Sequence, residues 1–136
     1  MASILKVDEM QGVTSAGDIT ITSEGGSATM QLQQGLCKAW TNIDMTTPTT
    51  NDSFNQSSIN DLATGRFTSS FTNNLGNSDY AVTASGMDPT EASTASNRTA
   101  DGTPVSTSQL YVRAAAYDNT ANDVPGAGVM AQGDLA

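Results

Sequence analysis

The sequence predicts an all-β, antiparallel fold, and three observations predict it. Short segments alternate apolar and polar residues with a period of two. Clusters of Gly, Asn, Asp, Ser and Pro punctuate those segments as turns. No long stretch carries an apolar repeat of 3.6 residues, so helix signals are nearly absent. The expected architecture is an antiparallel β-sandwich or knob with an extended N-terminal arm.

The arm comes first. Residues 3–10 (SILKVDEM) place Ile4, Leu5 and Val7 among alternating charges, the pattern of an edge strand or extended arm. Residues 18–22 (DITIT) alternate strictly, with Ile19 and Ile21 on one face, and Gly25-Gly26 closes that strand with a turn. Little in residues 1–34 can build a core, so this region reads as an attachment element that needs neighbours, ahead of a β-rich domain over 35–136.

From Gly35 the apolar content rises through Leu36, Cys37, Ala39, Trp40 and Ile43. Periodicity alone allows a strand or a short helix there; the Thr-rich sequence that follows favours a strand, with a loop over 48–52. Residues 54–60 read as a strand. Residues 65–73 (GRFTSSFTN) put Phe67, Ser69 and Phe71 on one face, and 79–86 put Tyr80, Val82 and Ala84 on one face. The two segments read as a hairpin about the turn at 73–77. Residues 86–107 read as a long connection, a functional loop or partner-binding arm. Residues 108–117 (SQLYVRAAAY) are the clearest strand, with Leu110, Val112, Ala114 and Ala116 on one face and apolar content on both, which suggests burial on both sides. Residues 126–134 close the domain. The expected packing residues, in the core or between copies, are Trp40, Phe67, Phe71, Tyr80, Leu110 and Val112.

Composition bounds the function. A chain of 136 residues suffices for one core, yet hydrophobic residues make up 37% and aromatics 5%. Typical soluble domains run at about 45–50% apolar with Gly included, so burial against identical copies, an oligomer, is expected. The formal net charge of −9 repels phosphate backbones and anionic lipid, which argues against nucleic-acid binding. No apolar run is long enough for a membrane span, and residues 1–10 lack the apolar stretch of a signal peptide; a soluble chain made in the cytoplasm is expected.

The chemistry of sites points away from an enzyme. With no His, neither a Ser-His-Asp nor a Cys-His arrangement can form. Ser3 and Lys6 fit S-x-x-K on paper, but in a strand they fall on opposite faces. A carboxylate pair for glycoside hydrolysis would come from Asp79, Asp88, Glu91 or Asp118, each better read as a turn residue or strand terminator. The oxygen-rich run 118–123 lacks the spacing of an EF-hand loop and reads as a turn. Cys37, the only cysteine, reads as a small strand residue rather than a reactive thiol. Trp40 reads as a core or interface anchor, the other reading being a stacking platform for sugars. No cofactor and no metal are expected.

Taken together, ASILKVDEMQG, DITIT, LQQGLCKAW, DSFNQSSINDLATGRFTSSFTNNLGNSDYAV and the terminal GDLA resemble short tail-fibre-like structural proteins of tailed bacteriophages, notably of marine bacteria. The likeness covers most of the chain; 86–107 is its least matched part. It implies a virion component, generally a homotrimer, whose C-terminal part forms a knob. The N-terminal part, with Ile4, Leu5, Val7, Ile19 and Ile21, would tie the knob to another virion protein. It implies host attachment through a surface glycan or protein and carries no catalytic residues. A capsid decoration or head-fibre role is the alternative.

Overall fold

The computed structural model describes residues 5–13, 19–23, 25–87, 99–116 and 118–136, the side chains of 87 and 99 excepted. The chain divides into two compact units, Met1–Leu36 and Cys37–Ala136.

In the first unit, β1 (Thr20–Thr22) pairs antiparallel with β2 (Thr29–Gln31), with Ile21 opposite Met30. Ser23 N–H donates to the Ala28 carbonyl at 2.7 Å, and Gly26 takes the left-handed conformation (φ 72°) that the tight turn requires. A 3₁₀ turn at Gln33–Gly35 follows. Residues 5–13 form no strand: Leu5, Val7, Met10 and Val13 are exposed and nothing pairs with their backbone as a ladder. The strand reading of that segment does not hold for the described residues 5–13. Ile4, Ser3 and Asp18 lie outside the described residues.

The second unit is an all-β sandwich. One sheet has the order β4 (Thr49–Phe54), β3 (Ala39–Asp44), β10 (Gly126–Gln132), β7 (Ala81–Met87). The other has the order β5 (Gln56–Ala63), β6 (Arg66–Phe71), β9 (Gln109–Ala115), β8 (Thr99–Ser106). All pairings are antiparallel. Lettering β5 to β10 as A to F and β3 as G gives neighbours A-B-E-D in one sheet and C-F-G in the other. That is the strand order of a constant-type immunoglobulin sandwich with its last strand moved to the front, and β4 is an added edge strand.

Alternation predicts the inward faces well. Phe67, Phe71, Leu110, Val112 and Ala114 from one sheet meet Ala39, Ile43, Ala127, Val129 and Ala131 from the other, and Met45, Leu75, Tyr80 and Val124 seal the ends. Phe71 and Tyr80 meet edge to face, with centroids 5.9 Å apart and planes at 70°. Tyr80 donates its hydroxyl to the Gln109 carbonyl at 2.6 Å, which satisfies its polar end in the interior.

Three expectations fail, each for an identifiable reason. The hairpin between 65–73 and 79–86 does not exist: β6 lies between β5 and β9, while β7 pairs with β10 in the opposite sheet. Both segments present apolar faces to the same core, so they stack across the sandwich; period two fixes a face and not a neighbour. The loop over 48–52 is largely β4, an almost wholly exposed edge strand whose polar composition carries no burial signal. The connection over 86–107 contains β8, paired along β9, while 88–98 lie outside the described residues. Gly102 and Pro104 look like breakers but suit an edge strand. At Gly102 a Cβ would stand 2.1 Å from Val82 Cγ1, so only glycine lets β8 approach β7.

The chain passes from one sheet to the other at Asn55, between β4 and β5. Asn55 has φ 57°, a conformation asparagine tolerates. Its Nδ2 donates to the carbonyls of Lys38 (2.9 Å) and Asn73 (3.0 Å), and its Oδ1 accepts from Asn73 N–H (2.7 Å). One side chain thus ties three segments at the corner.

Candidate functional site

Five of the six expected packing residues, Phe67, Phe71, Tyr80, Leu110 and Val112, are buried inside a single chain. Trp40 is not among them. On β3, Ala39, Thr41 and Ile43 point inward, which sends Trp40, Asn42 and Asp44 outward, and Trp40 is half-buried there. The signal was available in the sequence: a residue two and four places before Asn42 and Asp44 on a strand shares their solvent side.

Register builds the surroundings of Trp40. Trp40 lies opposite Phe54 on one side and Met130 on the other, and Met130 lies opposite Thr83. In the next row, Asn42 lies opposite Gly128, and Gly128 opposite Ser85. Gly128 leaves a gap between Asn42 and Ser85; a Cβ there would stand 3.3 Å from Ser85 Oγ. The result is an open hollow of about 300 Å³ on the outer face, lined chiefly by Trp40, Asn42, Thr83, Ser85, Gly128 and Met130. None of its lining residues is charged. Asn42 accepts a hydrogen bond from Asn51 Nδ2 at 3.3 Å, which orients its amide. Phe54 and Met130 are about half exposed, so the row carries apolar surface to solvent.

Of the residues considered for catalysis, the structure describes Asp79, Asp118 and Lys6. Asp79 is exposed, and its own N–H donates to Asn77 Oδ1 at 2.8 Å. Asp118 is an exposed turn residue that accepts from Thr120 N–H at 3.0 Å; that bond holds its carboxyl below the usual range. Asp88, Glu91 and Ser3 lie outside the described residues; Lys6 is exposed. In the 118–123 turn several oxygens accept from protein donors. Arg113 donates to Asn119 Oδ1 (2.7 Å) and to the Asn119 carbonyl (2.6 Å), and Asp123 accepts from Gly65 N–H at 2.6 Å. Among the described residues no group of three or more His, Cys, Asp or Glu could hold a metal ion. Cys37 is half-buried and donates its Sγ–H to the Ala39 carbonyl at 3.1 Å; it stands two residues ahead of β3 and not in a strand, which corrects the strand reading.

Fold and site define an antiparallel β-sandwich module with a solvent-facing hollow and a separate small hairpin unit. Among the described residues no helix is long and apolar enough to cross a membrane. No protein-family model matches the chain, and neither a curated protein nor a solved structure matches it.

Proposed function

We propose that the chain is a fibre-like structural protein of a phage virion, a tail fibre or a fibre tip or adaptor, active in particle assembly and host attachment by non-covalent contact. The observation that carries this reading is the division into a short unit with exposed apolar side chains and a sandwich with its own core. Leu5, Val7, Met10, Val13, Ile21 and Met30 all stand in water. Covering them on another protein is favourable by about 25 cal/mol per Å² of apolar area removed, and an extended segment can add to a partner's sheet edge. The ordered stretches from ASILKVDEMQG to GDLA support the same assignment.

Three identical chains form the working unit, with the sandwiches gathered as a knob and the N-terminal segments directed to the particle. Light scattering of the purified protein is expected to give a trimer mass, and a monodisperse monomer at micromolar concentration would overturn the trimer. Imaging particles with and without the protein is expected to show its density on the tail. Density on the head would make it a capsid decoration protein, and identical particles would remove it from the virion altogether.

A further inference from the structure

The hollow on the outer face of the β4–β3–β10–β7 sheet has a lining that specifies its occupant. Its walls are an indole and a thioether, its polar groups are one amide and two hydroxyls, and it carries no charge. Its volume of about 300 Å³ sits at the lower end of ligand pockets, roughly 300–1,000 Å³, and is open along one side. We propose that it is a carbohydrate subsite that takes the uncharged pyranose ring of a neutral glycan. The apolar face of the ring lies against Trp40, and the ring hydroxyls pair with Asn42, Thr83 and Ser85.

A pyranose ring presents C–H groups on one face and hydroxyls around its rim. An aromatic face covers the first, and amide and hydroxyl groups, each both donor and acceptor, match the second. Neutrality follows from electrostatics. The chain carries a net charge of −9, and the lining offers no cation to offset the repulsion of a uronic or sulfated sugar. Preorganisation follows from the sheet. The lining residues stand on three neighbouring strands whose register is set by continuous pairing, so little ordering accompanies binding. Gly128 is the residue that makes the recess, because any side chain there enters the space between Asn42 and Ser85. A second copy of the chain suits this surface less well, since covering a recess with a polar floor demands a protrusion shaped to fill it.

The inference rests on the attachment reading only for the source of the glycan, a host surface. Trp40 is the only tryptophan in the sequence, so intrinsic fluorescence reports on the hollow directly. The full-length protein is titrated with neutral mannose, glucose and galactose oligosaccharides, and with polyuronic and sulfated oligosaccharides of matched length. A neutral series is expected to shift Trp40 emission to the blue and shield it from acrylamide quenching, with the anionic series weaker by about tenfold or more. Gly128→Val is expected to weaken binding by about tenfold or more with an unchanged melting temperature, while Trp40→Phe, which carries no tryptophan and is followed by titration calorimetry, keeps most of it. Three results would overturn the subsite: no response to any neutral saccharide at millimolar concentration, full binding by Gly128→Val, or emission that shifts with protein concentration alone. Protein found on particles yet inert to every sugar would defeat the subsite and leave the virion role standing; the reverse pattern would do the opposite.

Discussion

The two sheets share one core and differ on their outward faces. Across the centre of one face run Asn60, Thr68, Tyr111 and Thr103; across the other run Phe54, Trp40, Met130 and Thr83. The first face carries several internal hydrogen bonds: Gln109 Nε2 donates to Ser70 Oγ at 3.1 Å, Ser57 Oγ to the Ser70 carbonyl at 3.2 Å, and Arg113 reaches Asn119. The second keeps an apolar row beside a gap. A polar face with hydrogen bonds of its own is at ease in solvent. A face with a half-exposed indole beside a glycine-floored recess still gains by contact. The difference teaches that binding capacity here comes from what one strand pair omits, the side chain of residue 128, as much as from what it displays.

Four experiments test that comparison, in order of expected effect. Phe67→Ala cuts the core beneath both faces and is expected to cost about 3–5 kcal/mol, read by urea unfolding, with both faces lost together. Retention of one sheet's signal during unfolding would show that the faces are not built on one core. Asn55→Ala removes the corner's three side-chain hydrogen bonds and leaves a Cβ residue at φ 57°; a loss of about 2–4 kcal/mol is expected. A value near zero would mean that the corner is held elsewhere.

Trp40→Ala and Tyr111→Ala change matching positions on the two faces. Each is expected to cost about 1 kcal/mol of stability, the scale of strand-position effects. Only Trp40→Ala should remove contact with a saccharide, and equal loss from both would erase the distinction. The smallest effect is in the pH profile. Thr46 holds the exposed Asp44 carboxyl below its ordinary 3.8, through its hydroxyl (2.6 Å) and its N–H (2.8 Å). A depressed carboxylate stabilises the fold in full above its unfolded value, and the contribution fades as pH falls below it. Asp44→Asn should therefore flatten the acid limb of a melting-temperature profile slightly. Burial raises the Tyr80 hydroxyl above 10.0, so its contribution is intact below that value and is lost in alkali; Tyr80→Phe should flatten the alkaline limb.

How much of this was readable from residues follows from what alternation encodes. It assigned Phe67, Phe71, Leu110 and Val112 to the interior because a period of two states which side a residue faces. It could not place β6 and β7 in different sheets, since pairing partners depend on residues far along the chain. Polar edge strands such as β4 escape detection because their side chains are not selected by burial. Trp40, expected in the core or at an interface, stands half-buried on the outer side of β3, the side that Asn42 and Asp44 already marked. The hollow itself had no sequence signature: Gly128 reads as any strand glycine until register sets it between Asn42 and Ser85.

β10 is the last of the sandwich strands to be synthesised, yet it occupies an inner position, hydrogen-bonded to β3 on one side and β7 on the other. Until it arrives, β3 with β4 and β7 alone are two fragments with an empty slot between them. A nascent chain can therefore form neither the sheet nor the recess early, and one that stops short of residue 126 never will. Residues 126–132 are thus the step on which both the inner strand of the sheet and the floor of its hollow wait.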